Sequence, residues 1–214
     1  MPARLSGIGA RGVCAALVAL NKLADFRMRL SLLLCVVAVV LTQGCAVYNT
    51  TTDGVHYDLM LLGHDPVSYF SGAAPVPGKA ELYVRHRHGT YRFATAENRD
   101  RFLADPDRFA PRYGAFCAKG VSYAVRAGGD PLVYEIRSDR LFIFVNDYAR
   151  DYWRTDPRDF IDKADFYWNS ELAEAPVKWT NLKRFFFRVP HYRSYPEEFA
   201  DYERRTGKPA PQRR

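Results

Sequence analysis

Cysteine is scarce in this chain. Of 214 residues only four are cysteine, at positions 14, 35, 45 and 117. A closed zinc site of four cysteines has no ligands left in the body of the chain, where Cys117 stands alone. Long apolar runs are missing too: the apolar run Leu30 to Leu41 is twelve residues, against the roughly 20 apolar residues of a spanning helix. Also absent are a catalytic triad pattern, a glycine-rich phosphate loop, a nucleotide fingerprint, and paired carboxylates at helical spacing beyond capping positions. Nucleotide-dependent chemistry and two-carboxylate hydrolysis therefore have no support in the sequence.

The apolar stretch follows Arg27 and Arg29 and ends in LTQGC, Leu41 to Cys45. That is the make-up of an export signal, a basic segment followed by a short apolar one. Gly44 and Cys45 resemble a bacterial lipobox, with Thr42 where the usual box has leucine, and lipidation of Cys45 is expected. Residues 1 to 26 carry Pro2, several glycines and Asp25, poor material for a signal, so the expected true start is Met28. Cys14 and Cys35 then belong to removed or untranslated sequence, and no intramolecular disulfide is open to a lipidated chain. The expected organisation is a leader over 1–44, a polar tether over 45–54, one folded domain over 55–168 and a C-terminal extension over 169–214. A protein of this kind faces the periplasm of a bacterial envelope, and Ala46 after the anchor cysteine points to the outer membrane rather than the inner.

The formal net charge of +7 is unevenly placed. Residues 45–168 carry sixteen bases and seventeen acids, whereas residues 169–214 carry ten bases and six acids. A nucleic-acid surface needs a concentrated basic face on the folded domain. None is expected here, and the basic excess sits in the leader and the extension.

Local patterns predict an α+β domain of β-hairpins packed with short helices. Glu81 to His88 and Thr90 to Phe93 read as a hairpin about Gly89, with Tyr91 and Phe93 on its buried face. Thr95 caps a helix over Ala96 to Ala104 that points Phe102 and Leu103 inward, and Asp105 with Pro106 starts another. Leu132 to Ile136 and Leu141 to Val145 form a second hairpin about Ser138 and Asp139, its inner strand apolar at nearly every position and so central. Tyr148 to Thr155 and Pro157 to Trp168 are closing helices. In the extension, Trp179, Leu182 and Phe186 recur at helical spacing among Lys178, Lys183 and Arg184. That is the composition of an interfacial helix drawn to anionic lipid, unless these aromatics pack back on the domain. Ser194 and Glu197 form a capping box for a last helix, with disorder expected beyond it.

The segments GHDPVSYF (Gly63 to Phe70), TYRF, ATAENRDRFLADPDRFAPRYGAFCAKGVS (Ala94 to Ser122) and DPRDFIDKADFYW (Asp156 to Trp168) together resemble the exported YHS domain-containing (seleno)proteins. The resemblance runs from Leu59 to Trp168. Some members of that family place selenocysteine where Cys117 stands, which implies redox or soft-metal chemistry, with copper as one such metal. His64 departs from the aromatic residue common there, the glycine pair before the cysteine is reduced to Gly114 and Ala115, and the extension has no counterpart.

Cys117 is therefore the expected centre, either as a thiol activated by a helix N-terminus, Arg112 and Lys119 or as a buried small hydrophobe. His64 is the candidate second metal ligand, with Asp65 beside it as a cap for the segment starting at Pro66. Tyr69, Tyr113 and Tyr123 are candidates to line a pocket by the thiol. His86 and His88, two apart, share a strand face but lack a third ligand and read as an exposed edge. The leading expectation is an envelope-anchored binding module for a soft metal or a thiol partner. A single-cysteine redox enzyme resolved by an external thiol, and a structural protein without a chemical site, are the alternatives.

Overall fold

The computed structural model describes residues 47–211, with Met28 and Ser31 besides. The leader is otherwise outside the described residues, as is Cys45, and so is the lipidation expected there.

Strand β6 (Arg140–Phe144) divides the core. Leu141 and Ile143 enter one buried apolar cluster, Phe142 and Phe144 the other. Successive strand side chains point to opposite faces, so a strand with a core on both sides must be apolar at consecutive positions. Its antiparallel partner is β5 (Asp130–Arg137). Ser138 and Asp139 join them at φ 48° and 57°, the left-handed pair of a tight hairpin turn.

A second sheet carries β1 (Thr50–Thr51), β2 (Leu59–Met60), β4 (Gly89–Phe93) and β3 (Lys79–His86) in that spatial order, with β2 and β4 parallel and the other pairs antiparallel. Its hairpin turns at Arg87 and His88 rather than at Gly89, which opens β4. Glycine is needed there for space, since a Cβ would lie 2.3 Å from Cγ of Met60.

Helix α1 (Ala96–Ala104) and helix α2 (Pro106–Phe109) follow, capped by Thr95 and Asp105, whose side chains accept from the Asn98 and Arg108 N–H groups at 3.1 and 3.2 Å. Phe102 packs on Tyr91 and Phe93. Leu103, expected inward, is exposed, because neighbours in a helix are about 100° apart and Phe102 holds the inward direction. Helix α3 (Ala118–Ser122), helix α4 (Asp147–Arg154) and helix α5 (Pro157–Tyr167) pack around the second core with Trp153 at its centre. Asn146 and Asp156 cap α4 and α5.

The extension contributes helix α6 (Val177–Phe186) and helix α7 (Tyr195–Thr206), the latter opened by the Ser194 and Glu197 capping pair. Leu172, Val189 and Tyr202 belong to the same core as Trp153, so the extension is part of the domain. Two expectations change as a result. The described residues after α7, 207–211, are tied to the domain: Lys208 reaches Asp151 at 2.5 Å and the Ala210 N–H donates to Glu203 at 2.9 Å. The stretch expected as a tether is built in from Val47 onward, because Tyr48 packs on Gly114 and Asn49 donates its amide to the carbonyls of Ala115 and Gly129 at 3.0 and 3.2 Å. With two sheets and seven helices among the described residues, the fold is α+β.

Candidate functional site

Tyr113, Gly114 and Ala115 all adopt left-handed backbone, at φ 57°, 58° and 63°. This tight coil turns the chain from α2 into the core and delivers Cys117 to the position before α3. There the Cys117 N–H donates to the Ala127 carbonyl at 2.9 Å, and its own carbonyl accepts from the Val121 N–H at 3.0 Å. A single parallel bridge ties it to Ile143 of β6. The residue is 1% exposed.

Burial pushes the Cys117 thiol up, because a thiolate loses its hydration there. The backbone amides of Gly120, Val145 and Lys119, and the Lys119 ammonium, act the other way without overcoming it. At neutral pH the group is a protonated thiol.

Cys117 forms part of the wall of a cavity of about 380 Å³. Helix α4 contributes Tyr148 and Ala149, and α7 contributes Tyr195, Glu198 and Phe199. Lys119 projects between these walls. Its ammonium pairs with Glu198 and lies 5.3, 5.6 and 5.5 Å from the ring centres of Tyr123, Tyr148 and Tyr152, the geometry of cation–π attraction. Glu198 is buried and also accepts from the Tyr148 hydroxyl at 2.7 Å. Burial and the Glu198 carboxylate hold the Tyr148 phenol far above its ordinary value, and burial with the same carboxylate pushes Tyr123 up to about 12. Helix α7 is locked on this wall by Asp201, buried among Arg193, Arg204, Arg205 and the Tyr152 hydroxyl, the last at 2.6 Å.

Of the residues expected around the thiol, Lys119 and Tyr123 line this cavity. His64 belongs to the opposite side of β6, where its Nδ1 donates to the Leu61 carbonyl at 3.0 Å. Asp65 is a buried structural hub: it accepts from the Val67 and Ala94 N–H groups at 2.9 and 2.8 Å and from the Asn98 amide at 2.7 Å. Tyr69 is sealed in the same core, edge-on to Tyr134, and burial raises its phenol well above the usual range. Tyr113 packs on Phe142 and Trp168 and donates to Asp165 at 2.8 Å. His86 ends β3 whereas His88 lies in the turn, and they take different partners, Asp107 at 3.9 Å and Glu174 at 2.9 Å.

Among the described residues no group of three or more His, Cys, Asp or Glu side chains stands together to hold an ion. A second, polar cavity of about 250 Å³ is lined by Arg87, Arg112 and Arg140. Arg87 is paired with Asp107 and Arg112 with Asp165, while Arg140 is held by a hydrogen bond to the Asp107 carbonyl.

Tyr148, Tyr195, Glu198 and Phe199 were not foreseen as wall residues. The capping box revealed α7 as a helix, yet nothing local says which surface a helix some 80 residues downstream will cover. No protein-family model, curated protein or solved structure matches the chain.

Proposed function

We propose that this is a lipid-anchored protein of the bacterial envelope whose folded unit is a binding module for a small thiol-bearing molecule, held in the cavity beside Cys117. The observation that carries the reading is the cavity itself: a thiol in the wall, aromatic rings around it, and a part-buried cation paired with a buried carboxylate, Lys119 and Glu198, at its edge. Such a mixture of apolar surface with a few placed polar groups suits a small organic ligand. The resemblance to the YHS domain-containing (seleno)proteins supports Cys117 as the centre. Binding here is noncovalent, since a protonated thiol is a poor nucleophile, and that same protonation argues against the redox alternative.

Calorimetric titration with cysteine and glutathione tests the reading, alongside a copper(I) titration. Binding of a thiol that weakens by about tenfold in Cys117→Ser, with copper bound no better by the parent than by the variant, is the expected result. Equal thiol binding by parent and Cys117→Ser overturns the site, and a tight copper complex lost in Cys117→Ser restores the metal reading in its place.

A further inference from the structure

Helix α6 is built inside out. Its protein-facing side is polar after Val177, which packs on the core: Thr180 is buried, Asn181 bonds the main chain of Arg126, and Arg184 pairs with Glu171. Its outward side is apolar. Trp179 is 55% exposed, Leu182 is half exposed, and Phe185 and Phe186 are 77% and 68% exposed, followed by Phe187 at the helix end. At 3.6 residues per turn, Trp179, Leu182 and Phe186 form one stripe with Phe185 at its border. A helix that spends its polar face on its own protein and shows aromatic rings to water has its amphipathicity satisfied only when something apolar covers the other side.

Chain geometry says what covers it. The described fold begins at Val47, whose carbonyl accepts from the Arg126 guanidinium at 3.2 Å. The same guanidinium donates to Thr180 Oγ1 in α6 at 2.7 Å. Two residues of chain reach at most about 7 Å, so a lipid on Cys45, two positions before Val47, would leave the chain within that reach of Val47. The segment 177–188 holds four bases and no acid; Lys183 and Arg184 share the single carboxylate of Glu171, so a net positive charge remains of the kind that an anionic lipid surface attracts.

We infer that the outward face of α6 docks on an anionic membrane surface, acting with the Cys45 lipid as the second of two anchoring signals. The helix contact fixes how the folded unit lies on the surface, which a flexible acylated cysteine alone does not. The anchoring half rests on the lipidation reading above; the docking half rests on the helix.

The test uses the unit from Ala46 to Arg214, which contains both apolar cores and carries no lipid. Co-sedimentation is measured with vesicles of phosphatidylglycerol and phosphatidylcholine, and with phosphatidylcholine alone. The unit is expected to bind the anionic vesicles, with binding falling about tenfold or more in Phe185→Ser/Phe186→Ser. That variant keeps its unfolding midpoint, because both rings already face outward. Brominated lipid is expected to quench Trp179 while leaving the buried Trp153 emission intact. Undiminished vesicle binding by the double variant overturns the inference. So does a unit that ignores vesicles but self-associates through this face, shown by a dimer in sedimentation velocity that the double variant loses. Mass spectrometry of Cys45 from envelope fractions separates the halves: an unmodified Cys45 with vesicle binding intact removes the lipid anchor and sustains the docking helix.

Discussion

The side-chain amide of Asn181 pairs both main-chain groups of Arg126, accepting from its N–H and donating to its carbonyl, each at 2.9 Å. One residue of α6 thus completes the backbone hydrogen bonding of a loop 55 positions earlier. The Arg126 guanidinium, 2% exposed, returns the favour with bonds to the carbonyls of Leu172 and Ala175. Burial without a carboxylate partner brings it down to about 10.

Asn181→Ala leaves that N–H and that carbonyl unpaired in a part-buried place. A loss of about 1–3 kcal/mol is expected, read by denaturant unfolding with an unchanged m-value. A loss below about 0.5 kcal/mol, the range of ordinary surface changes, contradicts the role given to this pair.

Gly129 sits under β6. A Cβ there lies 2.4 Å from Cγ2 of Ile143 and 2.6 Å from the Ala115 carbonyl oxygen. Since a backbone carbonyl cannot swing away, Gly129→Ala is expected to cost about 1–3 kcal/mol, and an unshifted melting temperature would show that the loop yields.

For Cys117 the sign follows from its raised titration. A proton bound more tightly in the folded state stabilises the fold below the unfolded value of about 8.5, and that contribution is lost as pH rises through the higher folded value. The decline in stability above pH 8.5 is therefore expected to be shallower in Cys117→Ala. Alkylation by iodoacetamide at pH 7.5 should be far slower than in the unfolded chain; a rate equal to that of the unfolded chain refutes the burial account.

Asp201 works in the opposite sense. Burial alone raises its carboxyl, but the Tyr152 hydroxyl, then Arg205 and Arg193, outweigh that and hold it below the ordinary value of 3.8. Its contribution is present above pH 4 and lost as pH falls through the lower folded value. Asp201→Asn is expected to flatten the acid limb of the stability curve and to speed Cys117 alkylation at neutral pH, because α7 loosens from the cavity wall. Unchanged alkylation in this variant would mean that α7 does not guard the thiol.

Much of the secondary structure was legible in advance. The bounds of α1, α2, α5 and the β5–β6 turn follow from Thr95, Asp105, Asp156 and the Ser138–Asp139 pair, since caps and turns are satisfied within four residues. The two-sided role of β6 was readable from its unbroken apolar run. The site was legible only at its centre, through Cys117, Lys119 and Tyr123. Tyr69 and Tyr113 carry the same composition as Tyr148 and Tyr195, and nothing local distinguishes an aromatic that fills a core from one that walls a cavity.

What the sequence determined by itself is therefore the local inventory: the elements, their caps, the scarcity of thiols and the placement of charge. Tertiary structure decided which elements meet. It separated His64 from Cys117 across β6, laid α7 against α4 to enclose the cavity, and turned α6 so that Asn181 faces Arg126 and the aromatic rings face out. Those outcomes depend on contacts between residues tens of positions apart. Their energies exist only once whole surfaces are packed together, and so no window of sequence contains them.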